Sequence, residues 1–363
     1  MKIICVAGAR PNFMKIAPLM KAFRNQEALE PFLVHTGQHY DRRMSDLFFS
    51  QLGIPAPEVN LGVGSGSHAT QTAAIMQSFE AVVVEQAPRA VLVVGDVNST
   101  IACGLVAVKL GVKLVHVEAG LRSFDRTMPE EINRLLTDAI SDLLFCTEQS
   151  GVDNLRREGI PPERVYLVGN VMIDTLLEHR AKAESSRILK ELGLSQRGYA
   201  VLTLHRPSNV DSPDVFARLL DALEQVQRRM PVVFPVHPRT RRNLSGGPCG
   251  KRLGAMGNLR LIEPAAYLDF LKLMSSAAVV LTDSGGIQEE TTILKVPCLT
   301  LRENTERPVT VEVGTNRVVG TDPRNILAAF EDVLAGEFRQ AQVPPLWDGH
   351  AADRIARILL EKL

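Results

Sequence analysis

The sequence predicts an α/β fold with two parallel-sheet domains, and three observations lead to this prediction. Short apolar runs alternate with longer amphipathic segments along the whole chain. The runs are rich in Val, Ile and Leu, which is typical of parallel strands covered by helices on both faces. The chain has 363 residues, which is long for a single hydrophobic core. We therefore expect two domains, each with a parallel sheet covered by helices.

The predicted strands fall into two series. In the first half of the chain they are residues 3–7, 32–35, 90–94, 114–117, 143–146 and 165–168. In the second half they are residues 199–204, 232–236, 259–262, 278–281, 298–301 and 317–319. Helix-length segments separate most neighbouring strands, whereas residues 245–250 are rich in Gly and Pro and are predicted to form a loop.

The two series divide the chain near Gly169 and Asn170. Residues 1–170 form the first predicted domain and residues 171–349 form the second. The sequence leaves open whether the last helix, residues 350–363, packs back on the first domain.

Composition and charge exclude several classes of protein. The 41 basic and 41 acidic side chains give a formal net charge of zero, which argues against a general nucleic-acid binder. The five cysteines are scattered without a C-x-x-C spacing, so neither a disulfide framework nor a metal site is expected. No apolar run approaches the ~20 residues of a membrane span. These features predict a cytoplasmic protein without a metal.

Polar residues recur directly after the predicted strands. Ligands of parallel α/β sheets bind beyond the carboxyl ends of the strands, so this recurrence predicts a ligand-binding cleft. The segments are Gly8-Ala9-Arg10-Pro11 with Lys15, Gly95-Asp96, Glu118-Ala119-Gly120-Leu121-Arg122, His205-Arg206, His237-Pro238-Arg239, and Thr282-Asp283-Ser284-Gly285-Gly286.

The turn that starts at Thr282 indicates either a nucleotide site or a plain helix cap. Two glycines let the backbone approach a ligand, and the following helix N-terminus favours an anion. Glu290 would lie one to two turns into that helix, where it can accept hydrogen bonds from a ribose or be solvated. The G-x-G-x-x-G motif is absent after the strands, so no nicotinamide cofactor is expected. The P-loop motif is also absent, so a P-loop phosphotransferase is not expected either.

The acidic candidates each have a structural alternative. Asp96 can be a helix cap, while Glu118 is a poor cap residue. Glu130 and Glu131 follow Pro129, which is also how an ordinary helix begins. The chemical interpretation therefore requires these carboxylates to converge in one cleft. His116 lies inside a strand and is predicted to be a core residue.

Several separated segments, taken in order, resemble the non-hydrolysing UDP-N-acetylglucosamine 2-epimerases over essentially the whole chain. The segments are Gly8-Ala9-Arg10-Pro11, Lys15-Ile16-Ala17-Pro18-Leu19, Thr36-Gly37-Gln38-His39, Gly95-Asp96, His116-Val117-Glu118-Ala119-Gly120-Leu121-Arg122, Pro129-Glu130-Glu131-Ile132-Asn133-Arg134, His205-Arg206, Asp283-Ser284-Gly285-Gly286-Ile287-Gln288-Glu289-Glu290, and Thr305-Glu306-Arg307-Pro308. The resemblance implies two Rossmann-like domains in a GT-B-like arrangement with the active site in the interdomain cleft. It also implies a homodimer without metal or nicotinamide, which supplies precursors for cell-surface polysaccharides.

The resemblance also implies a role for each candidate residue. Asp96, Glu118 and Glu130 would be the catalytic carboxylates. Arg10, Lys15 and His205 would stabilise the departing UDP. Ser284, Gly285 and Gly286 would hold the diphosphate, and Glu290 the ribose. Arg307 would bind the nucleotide, and Phe270 would pack near the uracil.

The implied reaction is the reversible exchange of UDP-GlcNAc and UDP-ManNAc through elimination of UDP and its re-addition to a 2-acetamidoglucal. The C2 proton of an unoxidised sugar is not acidic, because no neighbouring carbonyl stabilises a carbanion. Breaking the C1–O bond first lets positive charge grow on the ring, so that C2–H becomes removable. Cations at the diphosphate would stabilise the leaving group where charge develops.

The sequence departs from the commonest family pattern at several points, which leaves other interpretations open. Gln38, Gln71, Arg206 and His237 match parts of a second, activating UDP-GlcNAc site, whereas Asp41, Thr70 and Pro207 depart from it. We therefore expect weak or absent activation by substrate. The alternatives are a 2-epimerase of a UDP-2,3-diacetamido sugar, a GT-B glycosyltransferase or hydrolysing epimerase, and a non-catalytic nucleotide-sugar sensor.

Overall fold

A computed structural model describes residues 1–37, 51–236 and 247–363 of the chain. The chain forms two compact units, of which unit 1 comprises residues 1–178 and 345–363 and unit 2 comprises residues 179–344. The sequence placed the boundary near Gly169 and Asn170, whereas the structure divides the chain after Glu178. The last helix belongs to unit 1.

Unit 1 contains one parallel sheet whose strands are covered by helices. The strands are β1 (Lys2–Ala7), β2 (Glu30–His35), β3 (Val59–Asn60), β4 (Ala90–Val94), β5 (Lys113–Val117), β6 (Leu143–Cys146) and β7 (Val165–Leu167). The helices are α1 (Arg10–Arg24), α2 (His68–Gln86), α3 (Asn98–Lys109), α4 (Pro129–Ile140), α5 (Gln149–Arg157) and α6 (Val171–Ala183), which crosses the boundary. The final helix of the chain, α15 (Ala351–Lys362), packs against α1.

Unit 2 repeats this plan. Its strands are β8 (Ala200–Thr203), β9 (Val232–Pro235), β10 (Leu259–Ile262), β11 (Val279–Thr282), β12 (Cys298–Thr300) and β13 (Asn316–Val318). Its helices are α7 (Ile188–Glu191), α8 (Pro207–Val210), α9 (Pro213–Arg229), α10 (Gly247–Ala255), α11 (Tyr267–Ser275), α12 (Gly285–Leu294), α13 (Pro308–Glu312) and α14 (Pro323–Leu334).

The two sheets share one strand order. Within the described residues, unit 1 has the order β3-β2-β1-β4-β5-β6-β7 and unit 2 has β10-β9-β8-β11-β12-β13. Each described strand pair is parallel; for example, Ile4 of β1 pairs with Phe32 on one side and Val91 on the other. This is the doubly wound order of Rossmann folds, so the predicted α/β class is confirmed.

The strand order places a topological switch point in each sheet. Successive connections run in opposite directions from β1, whose neighbours are β2 and β4, and from β8, whose neighbours are β9 and β11. Ligands of open α/β sheets bind in the crevice outside the carboxyl ends of the strands at this point. The segments after β1, β4, β8 and β11 are therefore the expected ligand-binding segments of the two units.

Buried apolar side chains explain why these elements form. Every residue of β4 is buried, as expected for a central strand of a parallel sheet. Helix α9 buries Phe216, Leu219, Leu223 and Val226 at helical spacing, while its last turn carries Arg228 and Arg229. Both observations match the hydrophobic patterns that predicted these elements.

Each strand predicted from the sequence is present, with small shifts at the ends. The short edge strand β3 was not predicted, because two residues carry no recognisable pattern. A loop prediction was wrong for Gly247 to Gly250, which lie in α10. Cys5, Cys103, Cys146 and Cys298 are buried, as the apolar runs around them suggested. Among the described helices, none is both long and apolar enough to span a membrane.

Candidate active site

Unit 1 carries a group of charged side chains after β1, β4 and β5 and at the start of α4. We call this group the unit 1 half-site. Its members are Lys15, Asp96, Glu118, Glu130, Glu131 and Arg134. Predicted residue Arg10 is the first residue of α1, at the same edge of the sheet.

Lys15 and Glu118 form a buried ion pair in which Lys15 Nζ contacts Glu118 Oε2. Both side chains are almost fully enclosed. Gly95 makes room for this pair, since a Cβ atom there would lie 2.9 Å from Lys15 Nζ and its φ is +68°. The turn after β4 therefore needs glycine, and the ion pair brings the segments after β1 and β5 together as the sequence predicted.

Glu118 has an unusual backbone conformation, with φ of 75°. A non-glycine residue in this region costs of order 1–3 kcal/mol and persists only when its surroundings hold it. The backbone N–H groups of Glu118 and Ala119 both donate to Phe145 O at 3.0 Å, which fixes the turn. Such strain is concentrated at functional sites, so the backbone supports a functional role for Glu118.

Arg134 joins two carboxylates of the half-site. Its Nε and Nη2 atoms donate to Asp96 Oδ2 at 3.0 and 2.8 Å, and its Nη1 atom donates to Glu131 Oε2 at 2.5 Å. Asp96 remains partly exposed, with 23% of its side chain accessible. Asp96 is therefore held in a fixed position beside the turn while an oxygen edge still faces solvent. Sequence reasoning missed Arg134, although its spacing from Glu131 on α4 was visible.

The neighbouring Glu130 and Glu131 have different environments. Glu131 is buried and accepts hydrogen bonds from Ser123 N at 2.9 Å, Ser123 Oγ at 3.0 Å and Phe124 N at 2.9 Å. Glu130 is partly exposed, and within residues 1–37, 51–236 and 247–363 no hydrogen bond or ion pair is observed for its side chain. Glu131 thus holds a loop in place, which leaves Glu130 as the member of the pair available to a ligand.

Asn12 is a positioning residue that sequence reasoning missed. Its Oδ1 atom accepts from Ala9 N at 2.8 Å, and its Nδ2 atom donates to Val94 O at 3.1 Å. The side chain thereby joins the loops after β1 and β4. A polar residue in the first turn of a helix after a strand was the available signal.

In unit 2, Asp283 organises the loop after β8. This carboxylate is fully buried and accepts from the backbone N–H groups of His205 at 3.1 Å and Arg206 at 2.9 Å, and from Asn209 Nδ2 at 3.2 Å. His205 Nδ1 lies 2.8 Å from Asp283 Oδ1, and the imidazole is 57% exposed. Burial raises the pKa of Asp283, but the His205 ion pair and these N–H donors outweigh it, so the pKa is lowered overall.

The turn Ser284-Gly285-Gly286 opens α12, with Ser284 at the N-cap position. The Ser284 side chain makes no capping hydrogen bond, and the first turn of a helix leaves backbone N–H groups for an external acceptor. Gly285 makes room for Arg307, because a Cβ atom there would lie 2.5 Å from Arg307 Nη1 and would displace the guanidinium. The guanidinium therefore lies directly against the start of the helix, where an anion would bind.

Arg307 is held by acidic partners. Its Nε atom donates to Glu289 Oε1 at 2.7 Å, and its Nη1 atom lies 3.6 Å from Glu306 Oε2. Glu306 also receives two hydrogen bonds of 2.9 Å from Arg302. These contacts fix the guanidinium plane beside Gly285.

Glu290 is buried in α12, so the solvated alternative considered for it is wrong. The Tyr267 hydroxyl lies 3.5 Å from Glu290 Oε1. Burial, followed by the negative charge of Glu289, raises the pKa of Glu290 to about 8. Phe270 lies one turn after Tyr267 on α11 and is partly buried.

Some predicted positions lie outside the described residues: Gln38, His39, Asp41, His237, Pro238 and Arg239. Gln71 is described and buried; it donates to Gly64 O at 2.8 Å and accepts from Asn98 Nδ2 at 2.8 Å. In the described part of the chain, no group of three or more His, Cys, Asp or Glu side chains is arranged to hold a metal ion.

Comparisons with known proteins identify the family of this chain. Residues 21–360 match the family model described as UDP-N-acetylglucosamine 2-epimerase. The chain belongs to the UDP-N-acetylglucosamine 2-epimerase family. A member named UDP-N-acetylglucosamine 2-epimerase from Methanocaldococcus jannaschii is 40% identical over 99% of this chain and 99% of its own length.

A solved structure and one further relative bear on fold and substrate. The crystal structure of the M. jannaschii UDP-GlcNAc 2-epimerase in complex with UDP-GlcNAc and UDP matches with a TM-score of 0.92, covering 99% of this chain and 100% of that chain at 40% identity. A UDP-2,3-diacetamido-2,3-dideoxy-D-glucuronate 2-epimerase from Pseudomonas aeruginosa is 41% identical over 99% of both chains. The predicted epimerase family is thus confirmed, while the roles of individual residues stay predictions.

Proposed function

We propose that this epimerase-family member interconverts UDP-GlcNAc and UDP-ManNAc. The observation that carries the proposal is that each unit has a group of polar side chains at the switch point of its own sheet. One presents carboxylates and a lysine, and the other presents a helix N-terminus with an arginine. A nucleotide sugar needs both kinds of group, since its diphosphate is anionic and its sugar ring becomes cationic when C1–O breaks.

The unit 2 half-site is proposed to hold the nucleotide. Ser284, Gly285 and Gly286 would donate hydrogen bonds to the diphosphate, with Arg307 as its counter-ion. Glu290 would bind the ribose, because its carboxyl lies in the second turn of α12 and, besides the Tyr267 hydroxyl at 3.5 Å, has acceptor capacity for further hydroxyl groups. Phe270 would pack near the uracil. The M. jannaschii relative was crystallised in complex with UDP-GlcNAc and UDP, which supports a uridine nucleotide as the ligand.

The unit 1 half-site is proposed to act on the sugar. Elimination breaks C1–O, releases UDP and transfers the C2 proton to a carboxylate, leaving a 2-acetamidoglucal. Re-addition of UDP at C1 and of a proton to the opposite face of C2 gives the epimer. Asp96, Glu118 and Glu130 are the candidate proton carriers and stabilisers of positive charge, and one general base contributes typically 10²–10⁴-fold. Arg10, Lys15 and His205 would stabilise the leaving diphosphate.

NMR of UDP-GlcNAc incubated with the protein in D₂O tests the proposal. We expect UDP-ManNAc to appear and both epimers to acquire deuterium at C2, because the abstracted proton exchanges with solvent. Glu118→Gln should slow this exchange by about 10²–10⁴-fold, the contribution of one acid–base group. Absence of epimer and of C2 exchange with the wild-type protein would contradict the proposal, and a nucleotide-sugar sensor would give that result while still binding UDP.

One relative favours a second candidate substrate. The P. aeruginosa member acts on a diacetamido glucuronate nucleotide by its name, and its identity of 41% is close to that of the M. jannaschii member at 40%. The same assay with both nucleotides separates the candidates by their kcat/KM ratio. Free ManNAc and UDP as products would instead indicate a hydrolysing enzyme. The homodimer and the cytoplasmic location stay predictions.

A further inference from the structure

Unit 1 also contains a chain of four charged or ionisable residues that runs from the interior to the surface: His116, Asp138, Arg122 and Glu158. We call it the Asp138 network. His116 and Asp138 are fully buried, and Arg122 is nearly so. The sequence predicted His116 to be an ordinary core residue, and none of the four has a role in the proposed function. Such a buried set has a high desolvation cost, so its contacts need an explanation.

Asp138, on α4, is the centre of the network. Its Oδ1 atom lies 2.6 Å from His116 Nδ1 on β5. Its Oδ2 atom accepts from Gly120 N at 3.0 Å and lies 2.7 Å from Arg122 Nη1. The carboxylate therefore joins α4, β5 and the loop after β5, which together carry two of the three candidate carboxylates.

His116 extends the network to the third. Its Nε2 atom lies 2.9 Å from Gly95 O, and Gly95 N donates to Val117 O at 3.1 Å. The turn that carries Asp96 is thus held at both its N–H and its C=O by β5. Glu118 lies two positions after His116 in the sequence, and it has the strained φ of 75° described above.

The hydrogen-bond partners of His116 explain why its ring is fixed. The Gly95 carbonyl is an acceptor only, so Nε2 must carry the proton of that hydrogen bond. Nδ1 contacts the Asp138 carboxyl, which also contacts Gly120 N and Arg122 Nη1. The imidazole therefore bridges the Asp138 carboxyl and the turn that carries Asp96.

We propose that Asp138 is the positioning residue of the unit 1 half-site: through His116 and Gly120 it fixes the two turns that present Asp96 and Glu118. This inference rests on the proposed function for its catalytic consequence. Glu158 closes the chain at the surface, since it receives two hydrogen bonds of 2.8 and 2.6 Å from Arg122 and balances its charge.

Asp138→Asn tests the inference in the full-length protein. An amide of the same shape cannot accept from Arg122 and Gly120 on one side and from His116 on the other, so one contact of the network is lost. We expect kcat to fall about 100-fold, the effect of a shift of about 1 Å in a reacting group. KM should stay within about twofold, because the nucleotide is held by unit 2.

Asp142→Asn is the matched control, since Asp142 lies beside the opposite end of β5. It accepts from Leu114 N at 2.9 Å and from Lys113 Nζ at 2.7 Å, so its substitution also weakens charge-assisted hydrogen bonds in this unit. We expect a loss of stability in urea unfolding but an unchanged kcat. Equal kcat values for the two variants would overturn the inference, as would a large rise of KM in Asp138→Asn without a fall of kcat.

A measurement on the wild-type protein keeps the inference testable if Asp138→Asn does not fold. NMR of protein labelled with ¹⁵N-histidine, with the His116 signals assigned from their loss in His116→Gln, should show a slowly exchanging proton on Nε2, because the Gly95 carbonyl can only accept. Absence of a proton from Nε2 would overturn the inference. This measurement needs no turnover, so an inactive wild-type protein with this proton in place would refute the proposed function and not the network.

Discussion

At the residue scale, Glu130 and Glu131 show that a structure is needed to distinguish the roles of two adjacent carboxylates. The sequence offered both as the start of a helix or as a catalytic group. Three hydrogen bonds from residues 123 and 124 and the Arg134 ion pair occupy Glu131, whereas Glu130 stays partly exposed. Sequence alone could not separate the two, because burial depends on how the loop after β5 folds over α4.

Paired substitutions test this assignment. Glu131→Gln should lower the free energy of unfolding by about 3 kcal/mol, since it leaves the buried Arg134 charge without one partner. Glu130→Gln should change stability by less than about 0.5 kcal/mol, as for an exposed side chain, but lower kcat by about 10²-fold or more. Urea unfolding and the epimerisation assay measure the two effects. A large stability loss in Glu130→Gln would contradict the assignment.

At the element scale, the strands were predictable and the supporting contacts were not. Runs such as Ala90–Val94 are apolar throughout because a central parallel strand is buried on both faces, so periodicity found them. The helix Gly247–Ala255 was missed because its Gly and Pro residues indicated a loop. The Asp138 and Arg134 contacts join residues far apart in sequence, and no local pattern indicates such pairs.

Helix α15 shows how a terminal element is fixed to unit 1. Asp174 accepts from the backbone N–H groups of Ala351 at 3.2 Å and Ala352 at 2.8 Å, which are orphan donors at the start of this helix. The Trp347 indole donates to Thr147 O at 2.9 Å just before it. Asp174 is thus a helix cap supplied by α6.

Asp174→Ala should lower the stability of unit 1 by about 1 kcal/mol relative to Asp174→Asn, which keeps an oxygen acceptor. Trp347 is the single tryptophan of the chain, so its fluorescence reports on unfolding of this region. Coincident unfolding curves for the two variants would show that the cap contributes nothing.

The ionisation of Asp174 makes the folding stability depend on pH. Burial raises the pKa of Asp174 from 3.8 to about 6 and outweighs the two backbone donors. Between pH 3.8 and about pH 6, the folded state therefore keeps a proton that the unfolded state has released. Its contribution to stability is therefore greatest in acid and falls as pH rises through this window. When the pH is lowered from 6 to 4, the free energy of unfolding of the wild type should rise by about 1–2 kcal/mol relative to that of Asp174→Asn. A constant difference across that range would contradict the raised pKa.

At the scale of the whole molecule, the two units use the same strand order with different side chains at their switch points. Unit 1 places Lys15, Asp96 and Glu118 there, and unit 2 places His205 and the Ser284 turn. The sequence predicted this division because polar segments followed the strands of both series. Under the proposed function, the carboxylates of unit 1 would act on the sugar and the helix N-terminus of unit 2 would hold the diphosphate.

The central claim is that UDP leaves the sugar and returns during each epimerisation. UDP-GlcNAc labelled with ¹⁸O at the oxygen that joins C1 to phosphorus tests it most directly, with the label position followed by ³¹P NMR. If UDP departs, its terminal phosphate can rotate, so we predict that the label spreads to non-bridging oxygens at a rate that falls in both Glu118→Gln and Arg307→Ala. Deuterium entry at C2 while the label stays entirely in the bridge would contradict the account.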